Sequence, residues 1–111
     1  MRHGPLFRTG VGTGDNTVVL QFGSTDDDVS DFNTWLFQCV AGAADVVVSL
    51  DGTNWSDPVS LADLSAITSD PVIVMAAGKL YGISNMHVKM LRVLQNGGAA
   101  ATVLLSASTN S

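Results

Sequence analysis

"HVKMLRVLQNGGAAATVLLSAS", residues 87–108, decides the fold class. Two runs rich in Val and Leu flank Asn96-Gly97-Gly98, and an Asn-Gly pair suits the type I′ turn of a β-hairpin. The pattern predicts two antiparallel strands, 87–95 and 99–108, joined tightly. Each carries apolar residues on both faces. Val88, Met90 and Leu94 fall on one side of the first, with Leu91 and Val93 on the other. In the second, Thr102 and Leu104 stand opposite Val103 and Leu105. A strand with one solvated face alternates more cleanly. The second face is therefore expected to be covered, either by another subunit or by a loop laid over central strands. Val88, Met90, Leu94 and Leu104 are the expected oligomer contacts.

Working upstream, "VVVSLDGTNW" (46–55) reads as a strand ending in an Asp-Gly turn, with Gly52 free to take positive φ. The strand resumes near Trp55 and runs to Leu61. Pro58 lacks a ladder donor, which places that strand at an edge or makes it irregular. "TVVLQF" (17–22), "NTWLFQCV" (33–40), "PVIVMA" (71–76) and "AGKLYGI" (77–83) add further strands. "AGAAD" (41–45) reads as a turn and "LADLSA" (61–66) as one short helical turn. In "NTWLFQCV", Trp35, Phe37 and Cys39 share a face. Turn signals recur every eight to twelve residues, and the total of seven or eight strands predicts an all-β, antiparallel β-sandwich or jelly roll. Residues 1–16, with Gly4, Gly10, Gly12, Gly14 and Pro5, predict an extended N-terminal arm on a domain spanning 17–111.

Composition agrees. All ten acids are Asp, and Lys occurs twice in 111 residues; Asp favours turns, whereas long helices draw on Glu and Lys. Charged residues make up 14% of the chain, against roughly 25% in an average one. A surface so poor in charge is expected to meet copies of itself or a partner. The net charge of -5 opposes nucleic-acid binding, which needs a basic face. No run is long enough for a membrane span and none at the start resembles a signal peptide.

The chemistry of a reaction is missing. Cys39 stands alone, so neither an internal disulfide nor a zinc cluster is expected. No nucleophile elbow accompanies His3 or His87. The acids Asp26, Asp27, Asp28 and Asp31 crowd one loop, but the calcium-loop pattern fails at its glycine and glutamate positions, leaving a solvated acidic loop. "GVGTGD" (10–15) precedes a strand and lacks the lysine of a phosphate loop. No cofactor or metal is expected. Asp51, Asn54 and Trp55 could rim a sugar site, since a flat aromatic beside amide and carboxylate groups is what a sugar needs; the alternative is a Trp55 that only packs beside the preceding strand.

The stretch from "VVVSLDGTNW" through "GKLYGI" to "VKMLRVLQNGGAAATVLLSAS" resembles the small capsid decoration, or cement, proteins of tailed bacteriophages. The resemblance spans roughly residues 33–108 and is one of pattern. It implies a non-enzymatic, often trimeric protein of the virion, assembled in the bacterial host cytoplasm and bound to the major capsid protein on the outer surface of the shell. It implies that the basic arm (Arg2, His3, Leu6, Phe7, Arg8) orders on the capsid. A tail, neck or fibre protein is the alternative within the virion, and a small carbohydrate-binding module using Asp51, Asn54 and Trp55 the alternative outside it.

Overall fold

Alternation along the chain is realised as strands that bury one side. The computed structural model describes residues 6–23, 32–65 and 70–109. Among them nine strands form and no helix: β1 (Leu6–Val11), β2 (Val18–Phe22), β3 (Thr34–Ala41), β4 (Ala43–Ser49), β5 (Ala62–Asp63), β6 (Met75–Ala76), β7 (Lys79–Ile83), β8 (Met90–Gln95) and β9 (Thr102–Ser108). They make two antiparallel sheets, one ordered β1-β9-β3-β7-β5 and the other β2-β8-β4-β6. The predicted β-sandwich is the fold. Odd-numbered strands all lie in the first sheet and even-numbered ones in the second, so the chain changes sheet at every connection.

The inner faces meet in one core. Trp35, Phe37 and Cys39 of β3 are fully buried, as their spacing predicts, with Val103 and Leu105 of β9 beside them on the same inner face and Leu91, Val93 and Val46 facing them from β8 and β4. Trp35 makes edge-on contacts with Phe22 and Phe32, with ring centroids 5.4 and 6.3 Å away. Its indole Nε1 donates to the Met86 carbonyl at 2.9 Å, so the one polar atom of this buried ring is satisfied. Removing such a ring costs about 3–5 kcal/mol.

Several sequence expectations are corrected. The Asn96-Gly97 hairpin does not form, because β8 and β9 belong to different sheets. A type I′ turn needs positive φ at both central residues; Gly97 has it, at 96°, and Asn96 does not. Residues 96–101 instead arch across the sandwich. The Gln95 side chain holds the arch, its Nε2 donating to the Gly97 carbonyl at 2.9 Å and its Oε1 accepting from the Ala101 amide at 3.3 Å. Both β8 and β9 are thereby central strands.

The N-terminal segment is not an arm over its described length. β1 pairs with β9 from Leu6↔Ala107 to Val11↔Thr102, and beyond it the Gly12 and Asn16 amides donate to the Ala101 and Gln95 carbonyls. The glycines that read as linker mark close approaches: a Cβ at Gly10 would collide with the backbone of Val19, and one at Gly12 with the Gln95 side chain. The 1–16 boundary therefore cuts through the sandwich.

Smaller differences follow the same logic. The 41–45 turn shrinks to Gly42, at φ 69°, where the chain bends from one sheet into the other. The helical turn at 61–66 is replaced by an isolated Leu61↔Val72 bridge and by β5. The 71–76 strand reduces to that bridge and β6, leaving Ile73 and Val74 exposed. After the Asp-Gly turn the chain returns beside β4 without forming a strand: the Ser56 and Val59 amides donate to the Val48 and Val46 carbonyls, the irregular edge that Pro58 predicts. The acidic loop with Asp26, Asp27, Asp28 and Asp31 lies outside the described residues.

Candidate functional site

The outer face of the five-stranded sheet is the largest departure from an ordinary solvated surface. Register places two rows across it. One row runs Phe7, Ser106, Leu36, Gly82, Ala62 from β1 to β5; the next runs Thr9, Leu104, Gln38, Leu80. None of these residues is charged. Phe7 is 69% exposed, and Leu36, Leu80 and Leu104 are each 37% exposed. Val11, Val40 and Leu64 extend the exposed apolar surface at its margins. Together these seven side chains offer roughly 600 Å² of apolar area, at the top of what a monomer's largest patch presents. Two shallow hollows dent the face and share Leu36: one of about 320 Å³ between Phe7, Leu80 and Leu104, the other of about 190 Å³ over Gly82, between Leu36 and Leu64.

The outer face of the four-stranded sheet is different, because a loop covers part of it. Trp55, carried past β4 by the Asp-Gly turn, lies against Arg92 of β8, the guanidinium 4.1 Å from its ring centroid. Arg92 Nε also donates to Gln21 Oε1 of β2 at 2.7 Å. Arg92 is the register partner of Val47, and Val47 and Met90 are buried here although they point away from the core cluster. The same outward-facing apolar pattern thus has two outcomes: a covering loop over β8, and open surface over β9.

Trp55 also answers to the sugar alternative. With Leu50, Asp51, Asn54, Met86 and His87 it lines a groove of about 530 Å³ at one end of the sandwich. The structure therefore does bring Asp51, Asn54 and Trp55 together. Asp51, however, is already engaged by the turn. Its Oδ1 accepts from the Thr53 and Asn54 amides, both at 2.8 Å, and from Ser49 Oγ, while Oδ2 accepts from Asn54 Nδ2 at 2.6 Å. These bonds, led by the Asn54 amide, hold the Asp51 carboxyl well below the usual carboxylate range. A sugar hydroxyl would have to compete with the turn for those atoms, and the rest of the groove is mainly apolar.

The remaining candidates disperse. Of the expected oligomer contacts, Val88 is buried in the core before β8 begins and Met90 is buried beneath the second sheet's outer surface; Leu94 is half-buried there, and Leu104 alone lies on the open face. They share no surface. Of the arm residues, Arg2 and His3 lie outside the described residues. Leu6, Phe7 and Arg8 belong to β1, with Phe7 outward and the Arg8 guanidinium 5.1 Å over the Phe22 ring. Cys39 is buried and its thiol pKa is pushed up by burial. Among the described residues no cluster of three His, Cys, Asp or Glu side chains could hold a metal, and no helix is long and apolar enough to cross a membrane. Sequence reasoning missed Leu36, Leu80 and Gly82. The signal was present in "TWLFQCV", whose outward positions include Leu36 and Val40 where a solvated strand carries polar residues.

No family model matches the chain, and no curated protein matches its sequence. Among solved structures, the SPBc2 prophage-derived protein YomS superposes with a TM-score of 0.61, over 97% of this chain and 98% of that one, at 8% identity. The two proteins share a fold from end to end.

Proposed function

We propose that this protein is a non-enzymatic structural component of a bacteriophage particle, which decorates the outer surface of the capsid and stabilises it. The observation that carries the reading is the outer face of the five-stranded sheet, apolar in large part and with Arg8 the one charged residue lining its hollows, a surface suited to contact with protein. Burial of about 600 Å² of apolar surface has a gross worth of about 15 kcal/mol at 25 cal/mol per Å², of which association entropy and side-chain ordering remove a large part. An array of copies on a shell binds stably even when each contact is modest. The prophage origin of YomS supports a phage setting, and the capsid position comes from the resemblance of the sequence to cement proteins.

The test is co-sedimentation of the purified chain with empty bacteriophage shells assembled from major capsid protein, with isolated tails as the comparison. Saturable binding to shells, together with shells that melt at higher temperature, is the expected result. Binding to tails alone moves the protein to the tail, neck or fibre. Binding to neither refutes a place in the particle.

A further inference from the structure

We infer that the outer face of the five-stranded sheet is occupied by the same face of a second copy, related by a two-fold axis lying parallel to β3. The inference rests on reading that face as a protein-contact surface, and it names a second copy as the occupant, so that the pair and not the single chain is the unit that decorates the shell. Three observations point to self-association.

The first is neutrality. The two rows carry no charge, and Arg8 at the β1 edge is the one charged residue that lines either hollow, so the face meets its own copy with little repulsion. The second is size. Roughly 600 Å² of apolar area, with the polar residues between, approaches the roughly 800 Å² per partner of a standard stable interface.

The third is the order of residues in the rows. A two-fold axis over β3 exchanges β1 with β5 and β9 with β7. In the first row, Phe7 lies two strands to one side of Leu36 and Ala62 two strands to the other, each about 10 Å away. The axis therefore seats each protruding Phe7 over the second copy's Ala62, at the hollow floored by Gly82. In the second row it sets Leu104 against the second copy's Leu80. On the axis itself Leu36 meets Leu36, and Gln38 meets Gln38, whose amides can pair by donating and accepting in both directions. Protrusion meets hollow, the leucines meet leucines, and the polar Gln38 meets its own copy. Two sheets packed face to face with nearly aligned strands are an ordinary arrangement in β-proteins.

The axis makes a sharp test. Leu36→Asp and Leu36→Lys are prepared separately and as an equimolar mixture, and the mass of each sample is measured by sedimentation equilibrium. Leu36 is already 37% exposed, so both variants are expected to fold; Phe7→Ala, at 69% exposure, serves if they do not. The wild-type chain is expected as a dimer. Each charged variant is expected to weaken dimerisation at least 100-fold, and Phe7→Ala at least 10-fold. Mixing Asp with Lys variants is expected to restore a dimer, because the axis sets the two substituted positions face to face. Leu50→Asp, on the second sheet's loop, should leave the dimer intact.

A wild-type chain that keeps the mass of one chain up to millimolar concentration overturns the inference. So does a trimer, or a dimer that survives both Leu36 substitutions. If the wild type is monomeric and Leu36→Lys abolishes sedimentation with shells, the face contacts the capsid: the inference falls and the proposed function stands. If that variant changes neither mass nor shell binding, the face is not the contact surface and the inference falls, while saturable binding to shells leaves the proposed function standing through another surface.

Discussion

Replacing Gly10 by alanine should detach β1 from β2. A Cβ built on Gly10 lies 2.7 Å from Leu20 Cβ and 2.8 Å from the Val19 carbonyl carbon, and closer still to the Val19 oxygen. Carbon atoms pack comfortably at about 3.5–4.0 Å, so β1 must retreat by most of an ångström. The obstructing atoms are backbone, together with the first carbon of a buried side chain, and neither rotates away. Overpacking of this kind costs about 1–3 kcal/mol. At about 4 °C per kcal/mol for a chain of this length, the melting temperature falls by about 4–12 °C. Gly98→Ala is the control: a Cβ there meets nothing within 4 Å, and the change should stay within about 0.5 kcal/mol. Thermal melts compare the variants, and amide exchange locates the effect, with faster exchange in Leu6–Val11 than in β3. If Gly10→Ala melts within 0.5 kcal/mol of wild type, the N-terminal segment is a loose arm after all and its assignment to the sandwich is wrong.

Three further outcomes follow from the loop, the stack and the thiol. Asp51→Asn should lower the melting temperature at neutral pH. The folded-state carboxyl is depressed, so its stabilisation is complete above the unfolded pKa of about 3.9 and fades as pH falls below it; a gap between variant and wild type that stays constant from pH 7 to pH 3 would speak against the turn's carboxylate. Arg92→Ala should cost about 1 kcal/mol and shift Trp55 emission to the red as the ring loses its guanidinium cover; an unchanged spectrum would mean that the two side chains do not stack. Cys39 should resist a thiol reagent in the native state at pH 8 and react fully in denaturant; rapid native labelling would place it outside the core.

Inward-facing residues were legible because alternation alone specifies them. Trp35, Phe37 and Cys39 could be placed on a buried face from spacing, and the Asp-rich, Glu-free composition pointed to many turns. Connectivity was not legible. Asn96-Gly97 has the chemistry of a hairpin, but local turn preference is worth little beside the burial obtained when β8 and β9 each become the centre of a different sheet. Glycine misled at the N-terminus for a related reason. Without a partner strand in view, Gly10 and Gly12 look like flexibility; with one, they are points where backbones or side chains crowd too closely for a Cβ. The candidate site was half visible. Two-faced apolar patterns correctly raised the question of what covers β8 and β9. Sequence could not divide the answer between the Trp55 loop over one sheet and open surface over the other, because that division depends on where a non-local loop lands.

The central claim is that the outer face of the five-stranded sheet is covered in the working protein. Hydroxyl-radical footprinting over a concentration series, with and without shells, tests it most directly. Phe7 and Leu50 start nearly equal, at 69% and 76% exposed. Oxidation of Phe7, Leu36 and Leu104 is predicted to fall as concentration rises or shells are added, while Leu50 stays reactive. Phe7 and Leu50 oxidised alike under every condition would contradict the account.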